Sequence, residues 1–325
     1  MLRLRKLYTI EELEDLLHKH RNKYFYKFSF CKNIDAKSLV KEEIKSIHSL
    51  SKIGLLYGIY RSDNLIGFLL MYPSFWDSKI LGINVGKLKF FLTTHVSSDF
   101  LDIFLKKILE DMRLINIKVL FFRIPVFQYF LLNYLCPKLL LTDILVTLCI
   151  SSRDIAKYIE NNTGTHALKF EHAEPKDLPI LISLTTNAFL QSHYHNDPFI
   201  PYELAEKIFY EWIKNSVYGY ADNIIIAKYK NNILGYLTCK INKIGEKRYG
   251  IIDLVAVDKR FRGRGIGTAL VKRALKWFLP TVEYVFVGTQ ATNIPAIRMY
   301  EKVGFRTVSI EATFHLWYDN KLKRS

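Results

Sequence analysis

The sequence predicts an α/β (α+β) fold in two tandem domains of one plan, at residues 1–155 and 166–320, each a sheet flanked by helices. Three observations lead there. At 325 residues and 50% hydrophobic, the chain can bury two ordinary cores. In the second half, an apolar run at 251–257 meets a glycine-rich turn and a helix, followed by a strand at 284–289 and another helix. The first half repeats the preceding hairpin: residues 60–69 parallel 229–237, each a pair of strand-forming runs around a polar turn.

In chain order, the first hairpin is followed by Trp76-Asp77-Ser78, Gly82 and Gly86-Lys87-Leu88. Residues 119–123 read as a strand, and a helix and a final strand at 139–150 follow, as in the second half. Thr93-Thr94-His95-Val96-Ser97-Ser98 stands where the second half has its glycine-rich turn. No glycine there lets backbone approach a phosphate closely, so this half is expected to lack a coenzyme site. The aromatic-rich run 121–134 reads as core, with domain packing or a homodimer contact as alternatives. The polar stretch from Ser151 to Thr165 reads as the linker.

The second half carries the chemistry. Gln191-Ser192-His193-Tyr194-His195-Asn196-Asp197-Pro198-Phe199-Ile200-Pro201 gathers two histidines, an aspartate and aromatic faces. His193, Tyr194, His195 and Asp197 are candidates for contacting a sugar or nucleotide. Each histidine read singly is an ordinary loop residue, and the pair does not suit a metal, since they project oppositely if extended. Arg262-Gly263-Arg264-Gly265-Ile266-Gly267-Thr268 then opens a helix. Bare amides at a helix start, with the helix dipole behind them, make an anion site sized for a pyrophosphate. The spacing fits neither a P-loop, which ends in Gly-Lys-Ser/Thr, nor the G-x-G-x-x-G dinucleotide turn.

The next helix is punctuated at both ends. Asn293 suits its cap, Pro295 its first turn and Gly304 the residue just past its end, while Ala296, Ile297, Tyr300 and Val303 share one face.

R-x-x-G-x-G at Arg262, Gly265 and Gly267, followed by N-x-x-A-x-x-x-Y-x-x-x-G-F from Asn293 to Phe305, resembles the GNAT acyltransferase superfamily. The resemblance covers residues 166–318 and implies a mixed, mainly antiparallel twisted sheet in each domain, with the central parallel strands of the second splayed apart. It implies acetyl-CoA as co-substrate and transfer of its acyl group to a primary amine. Val255, Ala256 and Val257 would supply backbone bonds to the pantetheine arm, and the amide of Val255 or Ala256 would hold the oxyanion. Arg262, Arg264, Gly265, Ile266, Gly267 and Thr268 belong to the pyrophosphate loop. Asn293 would bond the pantetheine amide, and Tyr300 would protonate the departing thiolate; outside this signature Tyr300 reads as core. Asp253, expected on the strand face shared with Val255 and Val257, is the candidate base, the alternative being a strand-edge aspartate paired with a basic neighbour.

With residues 252–257, 288–296 and Phe314-His315-Leu316-Trp317, the stretch at 191–201 is similar to a narrower group, bacterial acetyltransferases acting on TDP-linked 4-amino-4,6-dideoxy sugars, TDP-fucosamine among them. The Trp76-Asp77-Ser78 element resembles that group's N-terminal domain, with Leu81 where phenylalanine is usual. A peptide or protein N-acetyltransferase and a non-catalytic coenzyme-A-binding module are the competing readings.

Composition narrows the class. Cys31, Cys136, Cys149 and Cys239 lie far apart without a C-x-x-C, which suits neither zinc nor a disulfide framework and points to a reducing cytoplasm. The basic N-terminus is not followed by an apolar signal core, and the uncharged stretch from Ile124 to Pro137 is too short to span a bilayer. A net charge of +16 invites nucleic acid, but the lysines are scattered, and attraction for coenzyme A and a nucleotide sugar accounts for part of it.

Overall fold

The computed structural model describes residues 2–7, 10–159 and 168–318. Its elements in chain order are β1 (Leu2–Lys6), α1 (Glu11–Lys19), α2 (Arg21–Tyr24), α3 (Ala36–Ser51), β2 (Leu55–Arg61), β3 (Asn64–Pro73), α4 (Phe75–Leu81), β4 (Val85–Leu92), α5 (Ser98–Leu114), β5 (Val119–Pro125), α6 (Tyr129–Leu135) and β6 (Leu140–Ser151). There follow α7 (Ser152–Ile159), β7 (Leu168–His172), α8 (Leu178–Thr185), α9 (Tyr202–Asn215), β8 (Asn223–Tyr229), β9 (Asn232–Ile244), β10 (Lys247–Val257), α10 (Ile266–Phe278), β11 (Tyr284–Gln290), α11 (Ile294–Lys302) and β12 (Arg306–Trp317). Of the expected linker, Ser151 ends β6, 152–159 is helix α7, and residues 160–165 lie outside the described residues.

Two compact units result. One comprises residues 1–29, 34–144 and 310–325, the other residues 30–33 and 145–309. The first orders its strands β1-β2-β3-β4-β5-β12 and the second β7-β8-β9-β10-β11-β6. Within each, only the β4–β5 and β10–β11 pairs are parallel. The repeated plan extends to small irregularities. Each hairpin turns through a residue with positive φ, Ser62 at 55° and Lys230 at 53°, and carries a register shift just before it, at Ile59/Tyr60 and Ala227/Lys228.

The closing strands part from the sequence reading. The stretch at 145–151 pairs antiparallel with β11, not with β5, and β5 receives 311–317 of the last strand. An alternating apolar strand fits either sheet edge equally well, so the pattern alone does not choose between them. Each unit buries its own apolar cluster. In the second, Leu270, Val271, Ala274, Leu275 and Phe278 of α10 pack with Ile252, Val285, Val287 and Phe305. In the first, Phe104 and Ile108 of α5 pack with Leu120, Phe122 and Phe314.

Candidate active site

Strands β10 and β11 run side by side only from Tyr249/Tyr284 to Ile252/Val287, and their pairing stops there. On its other side β10 stays paired with β9 as far as Val257/Gly235, across a register shift between Ile252 and Val255. The bulge is braced where the Leu254 N–H donates to Thr238 Oγ1 at 2.9 Å. Residues 253–257 therefore keep one backbone edge facing the gap that opens toward β11, as the splayed-strand expectation requires. Gly288, the first residue of β11 past the pairing, is exposed.

Bulge geometry corrects one expectation. An extra residue breaks the strict alternation of side chains. Val255 and Val257 pack with Ile252 against the α10-side cluster. Asp253 stays diagonal to Lys240, which stands opposite Ile251 in the β9 register. Burial pushes its carboxyl up to about 6, with the Lys240 cation pulling the other way.

The glycine-rich loop has the geometry of an anion cradle. Gly263 and Gly265 hold left-handed φ of 77° and 81°, with open space where a Cβ would stand. Gly265 caps α10, and the first bond inside that helix is Ala269 N–H to the Gly265 carbonyl at 2.9 Å. The amides of Ile266, Gly267 and Thr268 are thus not used by the helix. Gly267 has a second reason to lack a side chain, since a Cβ there would lie 2.7 Å from Met299 Sδ on α11. Arg262 donates from Nε to the Val257 carbonyl at 3.0 Å, fastening the loop to the strand end, and the Arg264 guanidinium lies 5.5 Å from the Phe261 ring centre.

Asn293 caps α11. Its Oδ1 accepts from Ala296 N–H at 3.4 Å and its Nδ2 donates to Thr289 Oγ1 at 3.1 Å. Tyr300 is 4% exposed in the α10-side cluster, edge-on to Phe305 with ring centres 5.7 Å apart. Its hydroxyl bonds to no group among the described residues, and burial raises its pKa. Gly304 ends the helix at φ +93°, as its position just past the last turn predicts.

The wall at 191–201 is more braced than its sequence suggested. The His195 ring is clamped at both nitrogens, Nδ1 to Ser192 Oγ at 2.8 Å and Nε2 to Glu206 Oε1 at 2.9 Å, and lies along Phe209. Tyr194 is buried, and buried Asp197 accepts from Phe199 N–H at 2.8 Å. Tyr194 and Asp197 are buried and the His195 ring is bonded at both nitrogens, which ties them into this wall; His193, its ring tilted against Tyr194 with centres 3.9 Å apart, keeps partial exposure. Glu206, Thr238 and Thr289 escaped the sequence reading. Glu206 sits on α9 and Thr238 and Thr289 on strands, and only the bonds they make across the fold mark them. No group of three or more metal-ligating side chains occurs among the described residues.

Residues 185–305 match the acetyltransferase (GNAT) family. The second unit is a GNAT acetyltransferase domain, and the chain as a whole has the fold of tandem GNAT proteins. It aligns with a GCN5-related N-acetyltransferase from Sphaerobacter thermophilus over 98% of this chain and 96% of that one, at 12% identity and a TM-score of 0.62. A tandem GNAT protein from the clavulanic acid biosynthesis pathway aligns over 99% of this chain and 100% of its own, at 10% identity and a TM-score of 0.56. Among curated proteins, the spore coat polysaccharide biosynthesis protein SpsD of Bacillus subtilis is 31% identical over 153 residues, 46% of this chain and 51% of that protein. N-alpha-acetyltransferase 30 of Xenopus laevis is 31% identical over 91 residues, 27% of this chain and 33% of that protein. The chain spans about half the length of SpsD and a third of the second relative.

Proposed function

We propose that the second unit is an acetyl-CoA-dependent N-acetyltransferase whose acceptor is a primary amine on a nucleotide-linked amino-deoxy sugar. One observation supports the reading: amides of residues 266–268 that α10 leaves unbonded follow the end of β10, the strand whose pairing with β11 stops at Ile252/Val287. The coenzyme supplies an activated acyl group on a thiol leaving group. Residues 266–268, with Gly265 leaving room for close approach, grip its pyrophosphate. The free backbone edge of Val255, Ala256 and Val257 takes its pantetheine arm, and one of the Val255 and Ala256 amides donates to the carbonyl oxygen as negative charge gathers there. Asn293, occupied as a cap at both ends of its side chain, shapes the turn beside that arm. Tyr300 stays protonated throughout the physiological range and donates its proton to the departing sulfur. Asp253 takes the proton that the amine gives up.

The sugar acceptor rests on the sequence resemblance and on SpsD, whose description places it in polysaccharide biosynthesis. Peptide N-termini are the second reading, favoured by the N-alpha-acetyltransferase relatives. A purely coenzyme-binding module leaves the buried phenol and the raised carboxyl without a task.

The first unit we take to be a GNAT-like domain without a coenzyme site. Gln128 caps α6 at φ −86°, ψ 58°, as Asn293 caps α11 at −85°, 59°, so Leu135 stands where Tyr300 does. The Ser97 side chain caps α5 by accepting from Phe100 N–H, where the second unit has bare glycine. A small apolar cavity lined by Leu88, Phe90, Phe122, Ile124, Leu135 and Leu316 occupies the corresponding cleft.

Thiol release from acetyl-CoA, measured across TDP-amino sugars, peptides and polyamines, tests the assignment. Turnover on the TDP-amino sugars is expected. Turnover on peptide N-termini alone removes the sugar, and no turnover with coenzyme bound selects the binding module.

A further inference from the structure

The acceptor side of the gap holds a cation that the reaction as described leaves unused. The kinked turn at Ser216–Tyr220 that follows α9 carries Tyr218 and Tyr220, 66% and 48% exposed, around Gly219 at φ +106°. Lys240 on β9 donates from Nζ to the Tyr220 carbonyl, and the same Nζ lies 4.8 Å from the Tyr220 ring centre. Two contacts to one residue fix the direction of a long side chain that otherwise samples many rotamers. An ammonium has three donors, and one is spent on that carbonyl. No carboxylate among the described residues comes within 4.0 Å of Lys240, although Asp253 is its diagonal neighbour across the strand pair. The carboxylate in turn makes no hydrogen bond among the described residues. The bulge thus presents a fixed cation, an unpaired carboxylate and two exposed aromatic faces on one side of the sheet.

Those groups demand different things of one ligand. A carboxylate attracts an amine and draws off its proton. A neighbouring cation disfavours a ligand that is only an ammonium and favours one that also carries an anion. Exposed tyrosine rings offer a stacking surface to a sugar or base between the two ends. We propose that Lys240, braced by Tyr220 beside Asp253, is the anion-recognising residue of the acceptor site, and that the acceptor is an amine bearing a phosphate or carboxylate group. This rests on the acetyl-transfer reading and narrows it: a polyamine, which carries only ammonium groups, or a simple amino sugar is a poor acceptor, and the anion sets KM.

The test uses acceptors that differ only in the anion. Glucosamine 1-phosphate against glucosamine isolates a phosphate, and β-alanine against β-alaninamide isolates a carboxylate, each at saturating acetyl-CoA. The wild-type chain is expected to favour the anionic member of at least one pair, and which pair it favours identifies the source of the charge. Lys240→Gln is expected to raise KM for that acceptor at least about tenfold, the worth of one charge-assisted hydrogen bond. Because Lys240 also holds the Asp253 carboxyl down, the comparison is made well above the Asp253 midpoint, at about pH 8, where KM for the member without the anion and kcat are expected to change little and Lys240→Arg is expected to restore most of the loss. Equal effects of Lys240→Gln on both members, or no rescue by arginine, overturn the proposal and assign Lys240 to holding the helix end. A wild-type chain that binds acetyl-CoA yet turns over no acceptor overturns the transferase reading, and this proposal falls with it. Acetylation that ignores charge overturns this proposal alone.

Discussion

In the proposed reaction Asp253 and Tyr300 are opposite solutions to one problem, keeping a titratable group in the protonation state its task needs. Burial lifts the carboxyl to about 6, so it is ionised at neutral pH yet close enough to its midpoint to exchange protons. If Asp253 is the base, kcat/KM falls as pH drops below about 6, roughly tenfold per unit, and Asp253→Asn removes that limb from the pH profile. The same burial has a stability consequence with a definite sign. A carboxyl raised in the folded state binds its proton more tightly there than when unfolded, so its contribution is favourable at low pH and is lost as pH rises from about 4 to 6. Asp253→Asn is therefore expected to stabilise the chain by about 2 kcal/mol at neutral pH while lowering activity, which denaturant melts and initial rates together will show. Tyr300→Phe is expected to lower kcat by roughly 10²–10⁴-fold and leave coenzyme affinity nearly unchanged; equal loss of both would place the phenol in binding rather than proton transfer. Residue types and spacing made these two candidates in the sequence. The face Asp253 occupies was not legible, because a bulge leaves no mark in an alternating strand.

The elements that position the site were legible wherever a local rule fixes the backbone. Asn293 and Pro295 start α11, Gly304 stops it, and glycines at 263 and 265 take the left-handed turns that other residues strain to adopt. Gly304 shows how strict the rule is here, since a Cβ would sit 2.3 Å from the Tyr158 ring on α7. Gly304→Ala combines that clash with left-handed strain and is expected to lower stability by about 3 kcal/mol or more, read as a drop in denaturation midpoint. The loop at 191–201 was less legible. Its histidines and aspartate look like ligand contacts in sequence, yet the ring of His195 is held by Ser192 and Glu206, and Asp197 turns inward to a backbone amide. Polar residues in a loop bind either a ligand or the loop itself, and composition does not separate the two.

Across the molecule, the repeat was readable and the closing strands were not. Hairpins at 60–69 and 229–237 announce one plan used twice, while the partner of a closing strand is a long-range choice that no local pattern encodes. The consequence is testable far from the site. Phe314, fully buried near the end of the sequence, faces Phe122 with ring centres 5.7 Å apart inside the first unit. Phe314→Ala is expected to cost about 3–5 kcal/mol and to remove hydrogen-exchange protection from β5 in the first half of the chain. Among the described residues no helix is long and apolar enough to cross a membrane. The net charge of +16 predicts that association with polyanionic ligands slows as salt is raised.

Calorimetric titration of coenzyme A into the wild-type chain and into Gly265→Asp tests the account at its centre. Position 265 has open space, so an aspartate there meets left-handed strain but no clash, and the variant is expected to fold with a melting midpoint lowered by that strain alone. The wild type should bind one coenzyme per chain and the variant none, because its carboxylate stands where the pyrophosphate would lie. Unchanged affinity in the folded variant would contradict the assignment of residues 265–268 and the chemistry built on it.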